Sequence, residues 1–357
     1  MVFGLFKKKK KKHSGPDYVD LTVKDIIKET PDAITIVFNA PDMDYKPGQF
    51  LTLISDINGE EVRRSYSLCT YKEIDEYPAV TVKRVQGGKM SNYLNEALHV
   101  GDEITVMKPK GHFTVETDQA NGRHIVLFGA GSGITPLKGI ASQVLEDEPN
   151  STVSLIYANR NQESIIFKNA WTEMLAKYDS RLSISHILEE PSDNFNARTG
   201  LPSKEMLVEL VNDLGGEDPA YYFMCGPAPF MEKVEEALEE LNVSKDIIKK
   251  ESFTPAKKKE IETDQSVKRT VIVIIDDEEH EVTVQPGQSI LEAGLIMDLD
   301  MPFSCQSGMC TACRAKCLNG KVSMEDSDAL TDEELEEGYV LTCVGHPETD
   351  DVKLEFD

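Results

Sequence analysis

Cys305, Cys310 and Cys313 follow one another at a spacing of C-x4-C-x2-C, and Cys343 comes after 29 intervening residues. This pattern constrains the fold strongly, because it is the spacing by which four thiolates hold a [2Fe-2S] centre. Three of the ligands come from one loop, whose small residues Ser307, Gly308, Thr311 and Ala312 let backbone amides turn toward sulfur. The fourth arrives from a distant segment and closes the site. Zinc sites favour two paired C-x2-C knuckles, and only one such pair exists here. Cys317 stands outside the pattern and reads as a core thiol. Seven cysteines in 357 residues are too few for a disulfide framework, so a reducing, cytoplasmic setting is expected.

A chain of 357 residues exceeds one ordinary core and predicts two to three domains. No apolar stretch of about 18 residues occurs, which excludes a membrane-spanning helix. Acidic side chains outnumber basic ones by 63 to 38, for a net charge of −25, and this argues against nucleic acid as a partner. The charge is uneven. From Arg269 to the end there are 21 acids against 5 bases, whereas residues 1–16 carry six lysines and no acid. Lys7–Lys12 would suit an anionic membrane surface, but a solvated tail is the plainer reading. The polar, aperiodic stretch Thr254–Lys268 reads as a linker. The expected division is therefore a basic tail at 1–16, domains at 17–117 and 118–253, a linker at 254–268 and an acidic module at 269–357.

Within 17–117, short β-type runs such as Ile34–Phe38, Phe50–Ile54, Ala79–Lys83 and Glu103–Met107, broken by Pro47-Gly48 and Asn58-Gly59, predict an antiparallel barrel with one helical insert at Ser91–Leu98. In 118–253 the apolar runs Ile125–Phe128, Val153–Tyr157, Leu182–Ile187 and Tyr221–Met224 alternate with helical stretches. That alternation predicts a parallel α/β sheet.

Three further motifs carry chemistry. Arg64-Ser65-Tyr66-Ser67 offers a guanidinium for phosphate, a ring to stack on an isoalloxazine and a hydroxyl for a ring nitrogen. Gly87-Gly88-Lys89-Met90-Ser91 leads into a helix, where amides can approach a pyrophosphate; the alternative is an ordinary helix with Ser91 as N-cap. Gly129-Ala130-Gly131-Ser132-Gly133-Ile134-Thr135-Pro136 follows an apolar strand and precedes a helix, the context a dinucleotide turn requires.

Together these motifs resemble the ferredoxin–NADP reductase superfamily, and residues 269–357 resemble a plant-type ferredoxin of β-grasp α+β fold. The resemblance implies that Arg64 and Ser91 hold the phosphates of FAD, that Tyr66 stacks on its ring and that Ser67 sits by N5. It also implies that Ser65, Lys83, Gly88 and Met90 border the flavin, and that Gly129, Gly131, Gly133, Thr135 and Pro136 receive NADPH or NADH. FMN is the less favoured flavin. Cys225-Gly226-Pro227 would lie over the nicotinamide with the Cys225 thiol near the hydride path, although by spacing alone Cys225 reads as a buried core thiol. In Glu251-Ser252-Phe253 the acid would be catalytic and Phe253 would shield the flavin. Arg160 suits a 2′-phosphate while Glu189-Glu190 opposes one, which gives NADPH a narrow margin. The domain order resembles the reductase components of bacterial multicomponent oxygenases. The expected function is thus transfer of hydride from NAD(P)H to FAD, then of single electrons through the [2Fe-2S] centre to a di-iron or Rieske oxygenase component. The alternatives are a reductase serving a non-oxygenase acceptor and a non-catalytic redox sensor. The protein is expected to act as a monomer. The acid run Asp326–Glu337 is read either as a steering surface for a basic partner or as a solvated face.

Overall fold

The computed structural model describes residues 18–193, 195–214, 219–253, 267–308, 310–324 and 329–356. The lysine run, the linker up to residue 266 and the acids Asp326 and Asp328 lie outside the described residues.

Six strands, β1 (Tyr18–Thr30), β2 (Ala33–Phe38), β3 (Phe50–Ile57), β4 (Glu60–Ser67), β5 (Ala79–Lys83) and β6 (Glu103–Lys110), form one sheet in the order β4-β3-β6-β1-β2-β5. Every pairing is antiparallel, and a bridge from Leu68 to Val80 brings the β4 edge round to β5, so the sheet curls into a barrel. Alternate residues such as Ile36, Phe38, Leu51, Leu53, Val80, Val82 and Val106 fill the interior. Helix α1 (Lys89–Glu96) plugs this core with Met90 and Leu94, one turn apart and both buried. Its N-cap is Gly88, not Ser91. Ser91 is the third helical residue, and its Oγ accepts a hydrogen bond from the Val85 amide (3.1 Å).

The second unit is a parallel sheet of β7 (His124–Ala130), β8 (Thr152–Asn159), β9 (Leu182–Leu188), β10 (Arg198–Thr199), β11 (Tyr221–Gly226) and β12 (Ile248–Ser252), ordered β10-β9-β8-β7-β11-β12. Both faces are covered, which explains why these strands read as unbroken apolar runs. Ile125 and Leu127 pack under α2 (Ile134–Asp147) and α3 (Lys168–Tyr178), and Val126 and Phe128 under α4 (Lys204–Asp213) and α5 (Ala228–Glu240). The strand order reverses between β7 and β11, and such a reversal opens a crevice at the carboxyl ends of the strands.

The third unit opens with an antiparallel hairpin, β13 (Arg269–Ile275) and β14 (Glu278–Val284), whose turn residues Asp276 and Asp277 both have positive φ, as a two-residue hairpin turn demands. Helix α6 (Ile290–Ile296) follows. Ser289 caps it in a reciprocal box with Glu292, and it packs over a mixed sheet completed by β15 (Arg314–Asn319), β17 (Tyr339–Leu341) and β19 (Lys353–Glu355). The short pair β16 (Val322–Met324) and β18 (Gly345–Pro347) and the helix α7 (Asp332–Glu336) border it. This is a β-grasp arrangement. Cys317 sits at the edge of this core, only half-buried, where its thiol donates to the Asn319 carbonyl.

Tyr157, fully buried on β8, fastens two loops of the α/β sheet. Its hydroxyl donates to the Gly131 carbonyl (3.0 Å) and accepts from the Ile166 amide (3.3 Å). Tyr157→Phe leaves both groups unpaired, and we expect the unfolding free energy in urea to fall by about 1–3 kcal/mol.

Candidate functional site

A cavity of about 400 Å3 lies where the barrel meets the parallel sheet. From the barrel it is lined by Arg64, Ser65, Tyr66, Ser67, Lys83 and Gly88 to Ser91, and from the parallel sheet by Ser132, Thr135 and Phe253. Arg64 is exposed, and its Nη1 donates to the Arg63 carbonyl (2.6 Å), which leaves most of its donor fork turned to a ligand. Burial holds the Tyr66 phenol neutral, well above its ordinary pKa. A Cβ on Gly88 would lie 2.6 Å from Ser91 Oγ, so only glycine leaves this corner open. Met90 contributes backbone here, because its side chain is 1 % exposed in the barrel core. These residues fit an FAD: cations and helix-start amides for phosphate, a ring for stacking and a hydroxyl beside it.

The register of the parallel sheet builds a second constellation next to it. Gly129 on β7, Cys225 on β11 and Glu251 on β12 are direct partners in one row at the carboxyl end of the sheet. Across the domain boundary, the Ser67 hydroxyl donates to Glu251 Oε2 (3.2 Å). Enclosure of the Glu251 carboxyl pushes its pKa up to about 8, against a smaller lowering by the Ser67 hydrogen bond, so a proton on Glu251 is available near neutrality. Cys225 is fully buried, and burial, then the charge of Glu251, raises its thiol well above the usual range. Gly131 takes φ +53°, and a Cβ there would stand 3.4 Å from Lys83 Nζ of the barrel. At Gly133 a Cβ would lie 2.0 Å from the Cys225 carbonyl, so glycine is required for the turn to press against Cys225 and Gly226. Thr135 is buried and donates to the Ser132 carbonyl (3.0 Å), and Pro136 lies in the first turn of α2, where a missing N–H costs nothing. This crevice fits a dinucleotide.

Arg160, at the outer end of the same crevice after β8, is 70 % exposed and pairs loosely with Glu190 (3.5 Å). The carboxylate thus stands beside the guanidinium that would take a 2′-phosphate.

In the third unit the four thiols converge. Cys310 Sγ donates to Cys305 Sγ (3.2 Å), the Gly308 amide points to Cys343 Sγ (3.4 Å) and the Ser307 amide to Cys305 Sγ (3.5 Å). Cys313 adjoins Cys343, and hydrogen bonds from Cys310 and then Cys343 hold Cys305 far below the usual thiol range. The contacts run from Cys310 through Cys305 and Cys343 to Cys313, so four sulfurs from one loop and one distant segment lie together as a binuclear iron–sulfur centre requires. The donor set therefore fits a [2Fe-2S] cluster. Sequence reasoning missed Tyr157, which fastens the glycine turn, and Glu334. Glu334 belongs to the acid run but is buried, capping α7 and pairing with Arg314 and with His112 of the barrel (3.0 Å to His112). The only sequence signal for it was the Thr331-x-x-Glu334 capping pattern.

Comparisons with known proteins agree with this layout. Residues 20–115 match the oxidoreductase FAD-binding domain, 127–236 the oxidoreductase NAD-binding domain and 273–348 the 2Fe-2S iron-sulfur cluster binding domain. The chain is 36% identical to the ferredoxin reductase component of 3-ketosteroid-9-alpha-monooxygenase of Rhodococcus rhodochrous, covering 96% of this chain and 98% of the relative. It is 37% identical to a 1,2-phenylacetyl-CoA epoxidase subunit of Escherichia coli, covering 94% and 97%. Phthalate dioxygenase reductase shares the fold with a TM-score of 0.58 at 21% identity, over 95% of this chain and 98% of that one.

Arg64→Ala is expected to purify with at least about half of its flavin lost, read from the yellow absorbance per mole of protein, because a charge-assisted phosphate contact of about 1.5–3 kcal/mol goes with it. Glu251 gives a signed pH effect. A carboxyl raised from 4.5 to about 8 stabilises the fold fully below pH 4.5, and that contribution is lost as pH rises toward 8. Glu251→Gln should flatten this part of the pH profile of stability, measured by urea unfolding at the two ends of the window.

Proposed function

The chain belongs to the family of NAD(P)H-dependent reductase components of oxygenase systems, and we propose that it passes its electrons to a separate oxygenase component of the di-iron or Rieske kind. It is an oxidoreductase with FAD, a [2Fe-2S] cluster and a nicotinamide coenzyme. The flavin, when bound, converts the two electrons of a hydride into single electrons that the cluster takes in turn. Likeness over nearly the whole length to two oxygenase-system proteins, the monooxygenase reductase component and the epoxidase relative, carries the partner assignment.

The geometry supports the following roles for this chain's residues. Arg64 and Ser91 hold the FAD phosphates, Lys83, Ser65, Gly88 and the Met90 backbone wall the cavity, and Tyr66 stacks. Ser67 orients the reacting edge of the ring and communicates with Glu251, which holds a proton at the end of the crevice. Cys225, Gly226 and Pro227, with the glycine turn 129–133, form the floor on which the nicotinamide rests, and the exposed Phe253 covers the ring until the coenzyme enters. Cys305, Cys310, Cys313 and Cys343 ligate the cluster. The exposed Arg160 gives NADPH its narrow margin, since the loose pair with Glu190 is weak in solvent and a phosphate can displace it. The chain works as a monomer divided at 17–117, 118–253 and 269–357. A cytoplasmic location is supported by cysteines spaced as cluster ligands and not as disulfide pairs; among the described residues no helix is long and apolar enough to cross a membrane.

Anaerobic titration with NADH and with NADPH, followed by absorbance, tests this reading. The wild type should bleach at both the flavin and the cluster bands. Cys310→Ser should lose the cluster band and still bleach its flavin; loss of flavin bleaching in that variant would overturn the division of labour.

A further inference from the structure

Arg63 is adjacent to the phosphate-binding arginine, yet its side chain is 4 % exposed. Its Nε donates to Glu61 (2.9 Å) and its Nη1 to the Tyr18 hydroxyl (3.2 Å). Its Nη2 lies 3.6 Å from Asp300, and the guanidinium carbon sits 4.1 Å from the centroid of the Phe303 ring. Tyr18 and Glu61 belong to the barrel; Asp300 and Phe303 belong to the loop that leads into Cys305. The next residue on the same face of β4, Ser65, shares a hydrogen bond with Ser304 (2.8 Å). Beside it Phe50, Ile54 and Met107 of the barrel pack against Cys310 and Ala312. Two of the four cluster ligands therefore meet the barrel, Cys310 within this apolar cluster and Cys305 packed against it, with the neighbouring Ser304 bonded to Ser65. A buried cation is tolerated only with a full set of partners, and a flat fork that can stack on a ring while hydrogen-bonding in its plane is a property of arginine, not lysine.

We propose that Arg63 is a positioning residue for electron transfer from flavin to cluster: it seats the Asp300–Cys305 loop on the flavin-bearing strand, so that Ser65 and Ser304 join the cavity wall to a cluster ligand. One electron leaves the reduced flavin and one enters the cluster at each crossing, with no covalent bond made or broken. Two crossings pass on the pair delivered by NAD(P)H, and the one proton that came with the hydride goes to solvent. The contact of His112 with Glu334 keeps the acidic module seated at a second point, so loss of Arg63 shifts the loop without releasing the module. The inference rests on the flavin occupying the Arg64–Tyr66 cavity.

The test uses the full-length holoprotein, anaerobic stopped-flow with NAD(P)H, and amide hydrogen exchange. Arg63→Ala should keep its flavin and bleach it at a rate within about twofold of wild type. Cluster reduction should slow by at least about tenfold, as a displacement of about 1 Å at a reacting contact can cost. Exchange at Phe303, Ser304 and Cys305 should quicken. Phe303→Leu, which keeps apolar bulk but removes the ring, should show the same split in smaller measure, and it decides the matter if Arg63→Ala does not fold. Cluster reduction at the wild-type rate, or flavin bleaching that slows in parallel with it, would overturn the role of Arg63. Flavin lost from Arg63→Ala but retained by Arg64→Ala would instead overturn the cavity assignment on which it rests.

Discussion

Strand β4 carries the rest of the structure because successive side chains of a strand point to opposite faces. Arg64 and Tyr66 fall on one face. Arg63, Ser65 and Ser67 fall on the other, where each has a partner in another unit: Arg63 stacks on Phe303, Ser65 meets Ser304 and Ser67 donates to Glu251. One five-residue segment thus touches the flavin cavity, the nicotinamide crevice and the cluster loop. A register slip of one residue would exchange the two faces and separate all three.

The contacts at this junction are polar and small in number, yet they are enclosed, and enclosure makes them matter. A serine–carboxylate hydrogen bond in open solvent is worth little. At Glu251 burial outweighs the hydrogen bond, and the carboxyl retains its proton to about pH 8. Arg63 shows the complementary case, a buried cation whose partners come from two units, so that the charge is satisfied only when the two are seated together.

The nicotinamide crevice depends on backbones coming closer than side chains allow. Gly133 stands against the Cys225 carbonyl, and a Cβ at Gly226 would crowd both Phe230 and Ala130. These close approaches bring the turn after β7 to the end of β11, where the strand order reverses, and there the row of Gly129, Cys225 and Glu251 becomes the floor of a site.

Much of this was legible in the residues. The thiol spacing named the cluster, because four sulfurs on one short loop and one distant segment suit little else. Apolar runs and glycine turns gave the barrel and the parallel sheet, because hydrophobic period follows from which faces are covered. The sequence placed Ser67 and Glu251 in motifs but could not pair them, since 184 positions separate them and only the packing of two units brings a hydroxyl to a carboxyl. Arg63 and Arg64 look alike in one dimension; strand alternation and the position of the acidic module bury one between two units and leave the other exposed at the cavity. Glu334 passed for one more exposed acid because charge in a sequence carries no information about burial, and the alternative reading of Ser91 as a cap fails because the helix already starts at Lys89. Local chemistry is written in neighbouring residues, but desolvation and partnership are properties of the assembled chain, and those decided which polar groups act.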